Sequence, residues 1–154
     1  MIKQAPIALL ALLGTAVVVT YAGLNAYKNV ALPAAAAGQC YAFELAAATY
    51  KEKTNQWPPT GSNAETVAAL MGNPKTPSAK REDYLALTTY EHNVPLFVEP
   101  DPPGSDNYVA LDVWNQPFRF EIVGDDLRVT SSGADEIFGT ADDISSDAHP
   151  NPEN

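Results

Sequence analysis

The chain reads as an α+β protein: an N-terminal hydrophobic helix, then an amphipathic helix packed on a small antiparallel β-sheet, then an acidic C-terminal loop. Three observations predict this. Residues 5–27 form one uncharged apolar run, and residues 38–53 place apolar side chains at helical spacing. Residues 118–130 alternate apolar with polar on both sides of a turn.

Ala5 to Tyr27 covers 23 residues without charge, rich in Leu, Val and Ala, between Lys3 and Lys28. As a helix such a run spans a hydrocarbon core of ~30 Å. A cleaved signal peptide is the rival reading, with Met1 to Gln4 as its charged segment and Ala5 to Val19 as its apolar one. Small-residue exits for cleavage stand at Thr20-Tyr21-Ala22 and Ala35-Ala36-Ala37. Either way the acidic body is expected outside the cytoplasm. The expected location is the inner (cytoplasmic) membrane, crossed once through residues 5–27, with export after signal cleavage as the alternative. The corresponding division is residues 1–28 as anchor or signal, 29–145 as an α+β domain, and 146–154 as a loose acidic tail.

Pro33 is expected to interrupt any helix that begins in the apolar run. Between Gly38 and Lys53, Cys40, Phe43, Ala47 and Tyr50 form one apolar stripe, and Glu44, Lys51 and Glu52 fall mostly off it. Asn55-Gln56-Trp57-Pro58-Pro59 ends that helix, because two prolines cannot continue it. A shorter helix follows. Ser62 and Glu65 make a capping-box pattern, Val67, Leu70 and Met71 give an apolar face, and Gly72 stops it.

The remainder reads as strands. Asp83–Tyr90 and Val94–Glu99 are short β-type runs, the second demoted to an edge by Pro95. Pro100 to Gly104 is a stiff loop, Tyr108–Trp114 the next strand, and Asn115-Gln116-Pro117 a turn. Phe118, Phe120 and Ile122 then alternate with Arg119 and Glu121, and a turn at Gly124-Asp125-Asp126 leads into Leu127–Thr130. The apolar face of this hairpin needs a cover, and the Cys40–Phe43–Tyr50 stripe is the expected one.

Charge is placed unevenly. Residues 1–90 carry 7 basic and 5 acidic side chains, whereas 91–154 carry 2 basic and 14 acidic, within a net charge of −10. So acidic a surface repels phosphate backbones, which argues against nucleic acid as a partner. Cys40 is the only cysteine, so neither an intrachain disulfide nor a cysteine zinc cluster can form. No enzyme is expected. His92 and His149 fall in unrelated loops, Ser131 and Ser132 lack a nucleophile-elbow context, and no phosphate-cradling glycine loop occurs.

The acidity concentrates in Ser132-Gly133-Ala134-Asp135-Glu136-Ile137-Phe138-Gly139-Thr140-Ala141-Asp142-Asp143-Ile144. Calcium takes several oxygen ligands, carboxylate and carbonyl, from a chain able to curl, and glycine supplies the curl. Asp135 enters from one side, and Asp142 and Asp143 return from the other after Gly139. The alternating aspartates and closing glutamate of an EF-hand are absent. The loop is therefore of a calcium type distinct from the EF-hand, with a solvated acidic loop as the alternative.

The order of segments resembles the major pseudopilin of type II secretion over residues 40–145. Ala46 to Pro58 is similar to that family's helix end and aromatic-proline turn. Leu111-Asp112-Val113-Trp114-Asn115-Gln116-Pro117-Phe118 resembles its Asp-Pro-Trp-Gly-Asn-Pro-Tyr segment, and Ser132 to Asp135 with Asp142-Asp143-Ile144 resemble its calcium loop. The resemblance implies Asp135, Asp142 and Asp143 as side-chain calcium ligands and Ser132 as a carbonyl ligand. It also implies a structural protein of secretion or pilus-like machinery, partnered by other components and by copies of itself. The family's cleavage glycine, followed by Phe-Thr-Leu and a glutamate in the fifth mature position, has no counterpart here. Gly14 and Gly23 precede Thr15 and Leu24, and the first acid is Glu44. A pseudopilin-like domain on a plain anchor is expected, with a calcium-binding module for an unrelated partner as the alternative.

Overall fold

The computed structural model describes residues 20, 23–72, 84–85 and 96–148. Most of the apolar run, both histidines and the last residues lie outside that set. The chain divides into two compact units, Met1–Ala34 and Ala35–Asn154.

In the first unit, residues 23–26 are α-helical and Tyr27–Ala31 form a π turn, with Leu24, Tyr27 and Val30 exposed. Among the described residues no helix is long and apolar enough to cross a membrane. The expected break at Pro33 does not occur, because helix α1 runs Leu32–Thr54. Leu32 N–H donates to Tyr27 O in π register just ahead of the ring. The widened turn lies where the ring would otherwise meet the carbonyl four residues back.

In the second unit, α1 buries two adjacent rows: Ala36, Cys40, Phe43 and Ala47, and Gln39, Ala42 and Ala46. Phe43 meets Phe118 at 5.2 Å and Phe120 at 5.7 Å between ring centroids, the second pair edge-on. The stripe covers the hairpin as expected. Asn55, at φ 60°, ends the helix in left-handed conformation, with its N–H on Lys51 O at 2.8 Å. Helix α2 spans Asn63–Leu70 and starts at Ser62, whose Oγ accepts from Glu65 N at 3.2 Å. Gly72, at φ 68°, follows its end.

The expected single sheet is two. Strands β1 (Phe97–Pro100) and β2 (Tyr108–Leu111) pair antiparallel, and β3 (Arg119–Val123), β4 (Asp126–Ser131) and β5 (Ile144–Ser145) form an antiparallel sheet in that order. One bridge, Leu111 with Pro117, and the Phe118 N–H on Ala110 O join the sheets. The strand expected over Tyr108–Trp114 stops at Leu111, because the next residues fold into a turn capped by Asp112. Within the expected strand Asp83–Tyr90, the described Tyr84 and Leu85 are helical and buried in the core. Burial here outweighs the β-type pattern of that run.

Gly124 (φ 65°) and Asp125 form the two-residue hairpin turn, with Val123 opposite Asp126. Positive φ at the first central position alone is the II′ arrangement, which suits the right-handed twist of the strands. Ile122 departs from expectation. It shares the face of Phe120 but is 43% exposed, because near the hairpin tip α1 presents Lys51, whose Nζ donates to Asp125 O at 3.1 Å. The tail expected to be loose from residue 146 begins as regular structure: β5 pairs with β4, and Ser146–Ala148 form a 3-10 turn. Ser146 Oγ accepts from Val129 N at 3.1 Å, and Arg128 bridges to Asp147.

Truncation of Phe120 removes one wall of the Phe43 cluster and leaves a cavity. Phe120→Ala is expected to cost about 3–5 kcal/mol in denaturant unfolding. The exposed Glu121→Ala on the same strand is expected to change stability by less than about 0.5 kcal/mol. Equal effects of the two would refute the packing.

Candidate metal centre

The acidic loop leaves β4 at Ser131 and returns into β5 at Ile144. Three residues take left-handed backbone inside it: Gly133 (φ 70°), Glu136 (φ 62°) and Gly139 (φ 93°). At Gly133 no side chain fits, because a Cβ would lie 2.3 Å from the Asp142 carbonyl oxygen. The two limbs of the loop are thus in direct contact there. Glu136 holds the same conformation without glycine's freedom, a cost that surroundings must impose.

Asp142 Oδ2 accepts from Ala134 N at 2.8 Å and Asp135 N at 3.0 Å, and Asp142 Oδ1 accepts from Thr140 Oγ1 at 2.7 Å. Asp135 Oδ1 takes Ile137 N at 2.9 Å, and Asp143 Oδ2 takes Gly139 N at 2.7 Å. Each predicted carboxylate therefore caps loop backbone. Among the described residues no three acidic, histidine or cysteine side chains form a group that could hold a metal ion. The loop brings the predicted aspartates onto one closed hydrogen-bonded turn without focusing them on a point.

Two polar atoms stand out. Asp143 Oδ1 and Ser132 Oγ are buried and have no hydrogen-bond partner among the described residues. An orphaned buried acceptor costs desolvation energy unless a cation or water meets it. In that respect Asp143 Oδ1 is an acceptor that a hard cation would satisfy.

Beneath the loop lies a buried polar layer centred on Asp112. Asp112 is 2% exposed. Its Oδ1 accepts from Trp114 N and Gln116 N, both at 2.9 Å, and its Oδ2 from Ser131 Oγ at 2.5 Å. Asn115, at φ 65°, completes the turn. An aspartate three residues before a left-handed asparagine is the signal that could have marked an Asx turn here. Cys40 lies on the same side, donating to Ile144 O at 3.4 Å, and burial pushes its thiol up to about 12. Arg119 stacks on Phe138 at 3.9 Å and pins the loop's middle to β3. Compared with known protein families, curated proteins and solved structures, the chain matches none.

Gly133→Ala is expected to melt well below the parent chain, because it combines the 2.3 Å clash with left-handed strain of roughly 1–2 kcal/mol. Gly104→Ala, also at positive φ but with nothing within 4 Å, carries the strain alone and is the comparison. Equal melting of the two would refute the contact.

The Thr140 hydroxyl, then the loop amides, hold the Asp142 carboxyl below the ordinary aspartate range. A depressed folded-state pKa stabilises the fold above the unfolded value, and that contribution is lost as pH falls through the folded value. A carboxyl-carbon NMR titration is expected to place Asp142 below a free aspartate, and Thr140→Val to move it upward. An unmoved midpoint in the variant would remove the hydroxyl as the cause.

Proposed function

We propose that the chain is a membrane-anchored extracytoplasmic structural protein of the pseudopilin kind, whose C-terminal loop is stabilised by one calcium ion. The observation that carries the calcium assignment is Asp143 Oδ1, a buried carboxylate oxygen without a partner among the described residues, in a loop with two further aspartates. On this reading Asp135, Asp142 and Asp143 supply carboxylate oxygens and Ser132 its backbone carbonyl. The α+β architecture, with a long helix over a hairpin and an acidic C-terminal loop, supports the pseudopilin reading. Its partners on that reading are other components of a secretion or pilus-like machine and further copies of the chain. A calcium module serving an unrelated partner shares the loop and differs only in those contacts.

The test is a thermal melt of the full chain in mild detergent, with chelator, with calcium and with magnesium. An ion that binds only the folded state stabilises it by about 2.7 kcal/mol at a hundredfold excess over Kd. Magnesium, which demands tight octahedral geometry, is expected to substitute poorly. Asp143→Asn keeps an oxygen for Gly139 N–H and removes the orphaned one, so it is expected to abolish the calcium response. Asp142→Ala is a poorer probe, since it also strips three hydrogen bonds from the metal-free loop. Identical melting of the parent in all three conditions would leave a solvated acidic loop.

A further inference from the structure

The Ser131 hydroxyl does two jobs. It donates to Asp112 Oδ2 at 2.5 Å, and its oxygen accepts from Gly133 N at 3.2 Å. Gly133 in turn abuts the Asp142 backbone so closely that a Cβ has no room. The next two amides, Ala134 and Asp135, hold Asp142 Oδ2. An unbroken chain of contacts therefore runs from the buried turn Asp112–Gln116 through the end of β4 into both limbs of the acidic loop. Ser132, between the two bonded residues, carries one of the orphaned oxygens.

We propose that this Asp112–Ser131–Gly133 relay sets how tightly the loop holds its cation, making Asp112 a positioning residue that touches no ion. The inference rests on the calcium reading of the loop. Asp112 is 2% exposed, whereas Asp135 and Asp142 are exposed, and from inside the fold its oxygens hold Trp114 N, Gln116 N and the Ser131 hydroxyl. Cation affinity at oxygen sites depends on rigidity as well as on ligand charge. Asp112 Oδ2 accepts from Ser131 and so turns the serine lone pairs toward Gly133. An asparagine amide in place of Oδ2 would donate to Ser131 instead and orphan its proton.

The experiment is calorimetric titration of the full chain in detergent with calcium chloride, at a temperature where each variant is shown folded by circular dichroism. Asp112→Asn and Ser131→Ala are each expected to raise the calcium Kd about tenfold or more, as loss of a group that orients metal ligands does. Asn63→Ala is the structural control. It removes bonds to Ala110 N, Ala110 O and Phe118 O, at the junction of the sheets. It is expected to lower the melting temperature while leaving Kd within about twofold of the parent, since no ligand-orienting contact is lost. Should Asp112→Asn fail to fold, Ser131→Ala decides, because it leaves the bonds of Asp112 to Trp114 and Gln116 in place. Parent-like Kd in the relay variants, or an equal rise in Asn63→Ala, overturns this inference alone. A parent chain that binds no calcium overturns the reading of the loop, and this inference with it.

Discussion

Phe43 is fully buried against Phe118 and Phe120, and that contact fixes the rotation of α1 about its own axis. Successive residues of a helix lie about 100° apart, so turning Phe43 onto the sheet also turns Ala36, Cys40 and Ala47 inward. The alanines of the buried rows let the helix backbone approach closely, and Phe43 supplies the bulk. From that rotation follow contacts far along the chain. Cys40 meets Ile144 O, which places β5, and Lys51 reaches Asp125 O beside Trp57 Nε1, which places the hairpin tip. The Lys51 ammonium also stacks on the Trp57 ring at 4.1 Å.

Apolar packing does not join the two sheets at their edge, where backbone groups must be satisfied. A two-stranded sheet is marginal alone, and Pro117 brings no N–H to its bridge with Leu111. Two polar side chains make up the shortfall. Asn63 donates to Ala110 O and Phe118 O and accepts from Ala110 N, spanning both sheets from the first turn of α2. Asp112 collects the turn amides one residue beyond β2. Both act as backbone substitutes, where burial makes an unmet donor expensive.

These two residues also mark where sequence reading ran out. The α1 stripe, the end of that helix at Thr54, the Ser62 cap and the hairpin were legible, because periodicity and capping are local signals. Asn63 and Asp112 act at separations of 47–55 and 19 residues as well as locally, and no local pattern reports such partners. Tyr84 and Leu85 failed for a related reason. Their apolar character suits either a strand or a buried helical turn, and the core decides between them. In the loop, the acidic residues and both glycines were legible. The use of their carboxylates as acceptors for loop amides was not, and Thr140, which supplies the hydroxyl for Asp142, passed unnoticed.

That use changes how the acidity of the loop should be understood. Three aspartates in an unstructured turn would repel one another and spread the chain. Here Asp142 takes two amides and a hydroxyl, Asp135 one amide and Asp143 one amide, so the donors of the loop itself offset the repulsion. The same bonds fix the carboxylate planes and so determine where the remaining oxygens point. Capping the loop and presenting oxygens to a cation are therefore compatible uses of the same side chains. The orphaned oxygen of Asp143 lies one residue before β5, whose first carbonyl takes the Cys40 thiol. Because burial keeps that thiol protonated, the donor persists across neutral pH. An ion held at Asp143 would then act on a strand tied both to β4 and to the stripe of α1, and so on the same packing that Phe43 anchors.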